Sequence, residues 1–183
     1  MKLKRQLAGT RQRGYSLAEA LVVVAIIGVV TLVMVPNFMS MYRNSRFKNA
    51  ARSFATMVRD TRQKAVTTSR PTMVSIGTTA AEKYTFWVYQ KDDAGVWQLL
   101  EQVDLQPGVT NKSVLFSSTD FTDTEQDDDR SDMIFLRNGA IDLNHADYVD
   151  LEADPAVVLS TTDNIPDPEF EFSITRAGAV RAQ

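Results

Sequence analysis

Cysteine is absent from this 183-residue sequence, and histidine occurs only once, as His145. Without cysteine the chain has no disulfide framework, no thiolate nucleophile and no cysteine-based zinc or iron–sulfur site. One histidine leaves little basis for a histidine-rich metal centre, and no motif singles out partners for a Ser–His–Asp triad, so we expect His145 in a turn or an edge strand. The sequence also lacks a glycine-rich phosphate loop and internal repeats. We therefore predict that the protein is not an enzyme and needs no cofactor.

Charge is distributed unevenly along the chain, although the formal net charge is only −3. Residues 1–14 carry five basic side chains and no acidic one, and residues 15–70 carry eight basic side chains against two acidic ones. Residues 71–183 carry seven basic side chains against 21 acidic ones, a net charge of −14. The basic end of the chain also holds its only long apolar run. This combination indicates a segment that interacts with a membrane.

That apolar run lies in a segment without charged side chains, from Ala20 to Tyr42. Its central part, Leu21 to Val35, is interrupted only by Gly28 and Thr31. About 20 apolar residues in a helix cross the hydrocarbon core of a bilayer, and a lone span must be helical because lipid offers its backbone no hydrogen-bonding partner. The positive charges before the run predict a cytoplasmic N-terminus, with the rest of the chain across the membrane.

Two simple interpretations of this segment leave something unexplained. A cleaved secretory signal has an apolar region of about 7–15 residues followed by small residues, whereas this run is longer and leads into Pro36. An uncleaved anchor explains the span and the charges, but it gives no role to Glu19, and an acid at the head of an apolar span is costly. Glu19 alternatively begins the helix, favoured by the helix dipole and by a capping box with Ser16.

A third interpretation covers all of these features. The sequence RGYSLAEALVVVAIIGVV resembles the prepilin signature of type IV pilins and secretion pseudopilins. In that family a dedicated peptidase cuts after the glycine that ends a basic leader, and the new terminal residue is N-methylated. The resemblance implies cleavage between Gly14 and Tyr15 and methylation of Tyr15, which departs mildly from the commoner phenylalanine. It also implies that Glu19 acts in assembly, paired with the Tyr15 amine of a neighbouring subunit, because a buried carboxylate needs a partner.

Beyond Pro36, apolar residues recur at steps of three and four, which predicts an amphipathic helix that ends near Ser69, since Pro71 disfavours a helical Arg70. The face expected to be buried comprises Phe38, Met39, Tyr42, Phe47, Ala50, Ala51, Phe54, Met57, Val58, Thr61 and Ala65. The polar face comprises Arg43, Arg46, Lys48, Arg52, Arg59, Arg62 and Lys64. This basic face is either solvated, with its first residues near lipid headgroups, or in contact with the acidic domain of a neighbouring subunit.

From residue 73 the period of hydrophobicity changes to two, which predicts short strands and turns. The expected strands are Met73–Ile76, Tyr84–Gln90, Val96–Val103, Val109–Phe116, Met133–Leu136, Tyr148–Leu151, Ala156–Ser160, Phe170–Thr175 and Ala179–Ala182. Hairpins are expected around residues 93–95 and 138–139.

The predicted fold class is α+β and type IV pilin-like: a long N-terminal helix, transmembrane in one half and amphipathic in the other, packed on a C-terminal antiparallel β domain. The predicted domains are a cleaved basic leader (1–14), a transmembrane helix (15–36), an amphipathic stem helix (37–70) and an acidic β-rich domain (71–183).

Within the prepilin class, this layout resembles the H-type minor pseudopilins and the FimT-like minor pilins. The segments IFLRNGAIDL and ITRAGAVRAQ loosely match two C-terminal segments of those families. Paired terminal arginines are implicated in DNA contact in the FimT-like proteins. Here Ala179 occupies the first of those positions, which leaves Arg181, with Arg176 nearby, as the candidate nucleic-acid contacts. Because residues 71–183 carry a net charge of −14, we do not expect nucleic-acid binding.

Acidic residues are concentrated between positions 120 and 132. Calcium prefers clustered oxygen ligands, and Asp127, Asp128, Asp129 and Asp132 are the candidates. The EF-hand spacing and its glycine are missing, so we expect a solvated acidic loop rather than a metal site.

The sequence therefore predicts a minor pseudopilin of a type II secretion system, which helps to initiate or cap a filament for protein export. The alternatives are a FimT-like minor pilin that acts in pilus assembly, motility or DNA uptake, and a signal-anchored periplasmic binding domain. The resemblance implies other pseudopilins or minor pilins, the prepilin peptidase, the inner-membrane assembly platform and membrane lipid as partners. It also implies a single-pass protein of the bacterial inner membrane with a periplasmic C-terminal domain.

Overall fold

The computed structural model describes residues 16–121, 130–142 and 154–182. These ranges contain one long helix, α1, and eight strands, which form two antiparallel four-stranded sheets. The elements are α1 (Leu17–Thr68), β1 (Thr72–Gly77), β2 (Thr85–Lys91), β3 (Trp97–Asp104), β4 (Val114–Thr119), β5 (Arg130–Phe135), β6 (Ala156–Thr161), β7 (Glu169–Ile174) and β8 (Val180–Ala182). The strand orders are β3-β2-β1-β5 in one sheet and β4-β6-β7-β8 in the other. The predicted architecture of one long N-terminal helix followed by an antiparallel β domain is confirmed.

The chain divides into two compact units, Met1–Met41 and Tyr42–Gln183. In the first unit, the helix is long and apolar enough to cross a membrane, judged by length and composition. Its internal hydroxyl groups bond within the helix, since Thr31 Oγ1 donates to the carbonyl oxygen of Ile27 at 2.7 Å. Such self-contained hydrogen bonding is what a segment in lipid requires.

The core of the second unit is built on one face of α1. Seven predicted residues, from Phe47 to Ala65, are buried there, and Ala55 joins them. Phe54 lies at the centre, with edge-to-face contacts to Phe86, Phe116 and Phe172. Because Phe86 belongs to one sheet and the other two rings belong to the second sheet, a single helical side chain connects all three layers.

The predicted buried face is wrong at its beginning. Phe38, Met39 and Tyr42 are exposed, at 63%, 46% and 53%. They precede Phe47, which is the first buried residue of α1. Sequence periodicity identifies an apolar helix face, but it does not show whether other parts of the same chain pack against that face. The predicted end is correct, because α1 stops at Thr68 and Ser69 takes a φ of 54°, a left-handed conformation common just after helices.

Two strands start three or more residues away from the predicted position, whereas the other described starts agree to within one residue. β4 begins at Val114 rather than Val109, because the side-chain oxygen of Gln106 accepts hydrogen bonds from the backbone N–H groups of Ser113 and Val114 at 2.7 and 3.1 Å. Side-chain hydrogen bonds, rather than pairing with a neighbouring strand, therefore fix the end of the loop that precedes β4. β5 begins at Arg130 rather than Met133, because the residues between them pair with β1.

The two predicted hairpins differ in outcome. The turn at residues 93–95 joins β2 to β3 as expected, with Asp92 N–H donating to the Val96 carbonyl oxygen at 2.9 Å. At residues 138–139 the pairing is reduced to a single bridge between Phe135 and Ile141. The predicted strand Tyr148–Leu151 lies outside the described residues.

Candidate functional site

The N-terminal end of α1 is where the sequence predicts processing and assembly. Gly14 and Tyr15 lie outside the described residues, whereas Glu19 is described and exposed in the first helical turn. Ser16 caps this end, since the Glu19 N–H lies 3.3 Å from the Ser16 hydroxyl oxygen and 3.1 Å from its carbonyl oxygen. A hydroxyl cap satisfies an open N–H group, and a carboxylate in the first turn complements the positive helix end. The helix-start geometry is therefore present, and it leaves the Glu19 carboxylate at the surface of the single chain.

The helix that follows Glu19 exposes apolar side chains on every side. Leu21, Val22, Ile26, Ile27 and Leu32 are between 58% and 78% exposed. A helix that is apolar all round is stable only where lipid or other helices surround it. This part of α1 is consequently an interaction surface, for lipid, for neighbouring helices, or for each in turn.

The basic face of the stem helix, α1 from residue 42 onward, is not uniform. Lys48, Arg52, Arg59 and Lys64 are exposed. Arg62 is partly buried instead, and its Nε donates a hydrogen bond to the carbonyl oxygen of Gly139 at 2.9 Å. One of the predicted solvated residues therefore holds a distant turn in place.

Two glycine turns meet at Arg62. Gly139 and Gly178 both have a positive φ, 78° and 77°, which favours glycine. A Cβ atom on Gly178 would lie 2.2 Å from the Gly139 carbonyl oxygen and 2.9 Å from the Arg62 Nε. The Ile141 N–H also donates to the Arg176 carbonyl oxygen at 3.2 Å, which links the two turns. The sequence predicts the turn at Gly139, but nothing in it indicates that this turn and the turn at Gly178 pack on one helical arginine.

A second cluster joins a loop to the beginning of β5. The guanidinium of Arg130 donates to both carboxylate oxygens of Glu82, at 2.8 and 3.2 Å, and its Cζ lies 3.7 Å from the ring centroid of Trp87. The hydrogen bond from Arg130 holds the pKa of Glu82 below its ordinary value. This bidentate pair is partly shielded from water, so it fixes geometry more than an open surface pair does.

The remaining candidate residues are dispersed. Arg176 and Arg181 are exposed. Arg181 lies on the edge strand β8, opposite Ser173 of β7 in the strand register. Asp132 is buried on β5, opposite Ser75, rather than in a solvated loop, because that strand starts earlier than predicted. Three other acidic candidates and the single histidine lie outside the described residues: Asp127, Asp128, Asp129 and His145. Within the ranges that the structure covers, no three acidic or histidine side chains are close enough to hold a metal ion.

Comparison with known proteins agrees with this arrangement. Residues 9–35 match the prokaryotic N-terminal methylation motif. The motif therefore spans the beginning of the long helix α1. No curated protein matches the chain by sequence.

Two solved structures are similar to this chain in fold. The minor pseudopilin EpsH from the type 2 secretion system of Vibrio cholerae is similar with a TM-score of 0.52 at 14% identity, over 75% of this chain and 96% of EpsH. The type IV minor pilin FimU of Pseudomonas aeruginosa is similar with a TM-score of 0.53 at 13% identity, over 78% of this chain and 92% of FimU. The fold is therefore that of minor pseudopilins and minor pilins alike.

Proposed function

We propose that this chain is a minor pseudopilin, a structural subunit that helps to initiate or cap the pseudopilus of a type II secretion system. The observation that carries the proposal is the methylation motif over residues 9–35, which runs directly into a helix with apolar side chains exposed on all sides. Such a helix suits lipid before assembly and a bundle of neighbouring helices afterwards. The proposed partners are other pseudopilins, the prepilin peptidase, the inner-membrane assembly platform and membrane lipid.

Processing creates the group that assembly needs. Cleavage between Gly14 and Tyr15 leaves a free amine on Tyr15, and an α-amino group is largely protonated at neutral pH. When the helices bundle, the carboxylate of Glu19 leaves water, and an unpaired charge there costs several kcal/mol. The Tyr15 amine of the neighbouring subunit supplies the opposite charge. Glu19 thus favours the register in which each subunit meets the next.

Orientation follows from the basic leader. Five positive charges within residues 1–14 favour a cytoplasmic N-terminus, which places the acidic residues 71–183 in the periplasm of a single-pass inner-membrane protein. A plain signal anchor carrying a periplasmic binding domain would have the same orientation. Only the anchor retains residues 1–14 when the prepilin peptidase is present.

The experiment that tests the proposal identifies the neighbours. The full-length protein is cross-linked gently in its native cells, extracted from the membranes and analysed by mass spectrometry. Secretion pseudopilins among the attached proteins support the pseudopilin assignment. Recovery of pilus subunits instead would favour the minor-pilin alternative. A chain without any filament subunit attached would favour the anchored binding domain.

The minor-pilin alternative rests on a specific observation, the similarity in fold to FimU. Its DNA-uptake form needs cations that face solvent, and Arg176 and Arg181 do. Against it stands the net charge of −14 over residues 71–183, which repels a polyanion. Loss of DNA binding by Arg181→Ala in the full-length protein would support this alternative.

A further inference from the structure

An open groove of about 270 Å³ lies between the stem helix and the strands β7 and β8. Its apolar lining includes Phe170 and Phe172, whose ring centroids are 5.1 Å apart, and the small side chains of Ala51 and Ala55. Ala51, Ala55 and Phe172 are buried beneath the groove, and Phe170 is its partly exposed aromatic side chain. The groove is thus an apolar slot on the side of the domain, bounded by one helix and one sheet.

Cations line the helical side of this groove. Arg52 and Arg59 both border it, and both are exposed. They are seven residues apart, so they lie on one face of the helix about 10 Å from each other, and Lys48 lies one turn before Arg52 on the same face. We call Lys48, Arg52 and Arg59 the basic stripe. None of the three forms an ion pair with a residue in the ranges described.

We propose that this groove is a docking site for an acidic, partly apolar segment of the neighbouring filament subunit. The inference rests on the proposed function, which supplies that neighbour. Carboxylates of the segment pair with Arg52 and Arg59, whose guanidinium groups bind carboxylates in a bidentate geometry. An apolar side chain of the same segment packs on Phe170, which is partly exposed, and leaves water. The basic stripe and the ring of Phe170 therefore select the same occupant by two independent properties, charge and apolar surface.

Charge complementarity argues for this occupant. Residues 71–183 of this chain carry a net charge of −14, and residues 120–132 alone are strongly acidic, so an acidic segment is a feature that a subunit of this type offers. A groove that receives a different segment of the next subunit makes a head-to-tail contact. Such contacts build open helical filaments when their rotation does not close into a ring, and they do not build two-fold dimers.

Other anionic occupants fit less well. A nucleic acid would meet the basic stripe, but it would also approach a domain with a net charge of −14. An anionic lipid surface would contact the exposed arginines without filling the apolar slot between Phe170 and the helix. A protein segment with acidic and apolar side chains satisfies both the arginines and the slot.

The test uses photo-crosslinking of the full-length protein in its native cells. p-Benzoylphenylalanine replaces Thr56, an exposed residue that lines the groove. The matched control replaces Ser53, which is also exposed but lines a separate groove, between the helix and residues 103–109. The adducts are identified by mass spectrometry. We expect the Thr56 site, and not the Ser53 site, to label an acidic segment of a filament subunit.

Reversing the charges of the two groove arginines then tests whether the cross-linked segment binds the groove or only lies near it. Combining Arg52→Glu with Arg59→Glu replaces two exposed ion pairs by repulsion, which should lower the yield of the Thr56 adduct about tenfold. The control combines Arg43→Glu with Lys64→Glu, which changes the net charge equally elsewhere on the helix and should lower the yield less than about twofold. Circular dichroism of each full-length variant verifies that it is folded.

Several outcomes would overturn the inference: no adduct at Thr56, an adduct on lipid or DNA, or an adduct whose yield ignores the reversal of Arg52 and Arg59. Each of these would leave the proposed function standing if the chain still cross-links to filament subunits elsewhere and begins at Tyr15. A chain that begins at Met1 and has no filament partner would instead remove both the proposed function and the docking site.

Discussion

Phe54 connects the stem helix to both sheets, and its truncation tests whether the three layers form one core. The side chain is fully buried, and its ring centroid lies 5.4 Å from Phe86, 5.2 Å from Phe116 and 5.4 Å from Phe172. Truncating a buried phenylalanine to alanine costs about 3–5 kcal/mol, from lost transfer energy plus a cavity. Three edge-to-face partners place Phe54→Ala toward the upper end, about 4 kcal/mol. That is a large part of the roughly 5–15 kcal/mol that stabilises a typical domain.

The assay is urea unfolding of the detergent-solubilised full-length protein, followed by tryptophan fluorescence. Trp87 and Trp97 are the only tryptophans and both lie in the sheet β3-β2-β1-β5, so the signal reports this part of the chain. With a denaturant dependence of about 2 kcal/mol/M, the loss should lower the midpoint by about 2 M. The control Val66→Ala truncates an exposed side chain of α1 and should change stability by less than about 0.5 kcal/mol. A Phe54→Ala midpoint within about 0.5 M of the parent would refute the shared core.

Three further predictions follow from other parts of the molecule. Glu19→Ala or Glu19→Val should block incorporation into a sheared filament fraction while membrane insertion, measured by extraction, stays normal; normal incorporation would contradict the assembly role. Gly178→Ala should cost about 2–4 kcal/mol in the same urea assay because its Cβ meets backbone, whereas Gly95→Ala, with a similar φ in open space, should cost about 1–2 kcal/mol; equal losses would contradict the close approach. Glu82→Gln should destabilise the protein by about 0.5–1 kcal/mol at neutral pH. Because Arg130 lowers the pKa of Glu82 in the folded state, this contribution is present above the ordinary value of 4.5 and is lost as the pH falls through the lowered pKa. A pH-independent difference from the parent protein would argue against this ion pair.

The order of elements was predictable because local patterns determine it. Steps of three and four from Phe47 to Ala65 match the buried face of α1, and Pro71 indicates where the helix ends. The turn at Asp92 to Val96 was likewise recognisable from its aspartate and glycine residues. Each of these features depends on residues that are neighbours in sequence, so the sequence alone carries the information.

What the sequence did not reveal depends on residues far apart in the chain. Gln106 delays the start of β4 by accepting two backbone hydrogen bonds with its side chain, and no local pattern predicts this. The sequence predicts Arg62 to be a residue of the polar helix face, whereas in the structure the turns at Gly139 and Gly178 pack on its side chain. The candidate docking groove was not predictable for the same reason, because its arginines lie on α1 and its aromatic residues lie on β7, more than 100 residues later in the sequence.

The measurement that tests the central claim most directly is the mass of the N-terminal peptide of the protein from its native membranes. It is made in cells with the prepilin peptidase and in matched cells without it. A processed filament subunit should begin at Tyr15 and carry one added methyl group when the peptidase is present, and it should retain residues 1–14 when the peptidase is absent. A chain that begins at Met1 in both cell types would contradict the account.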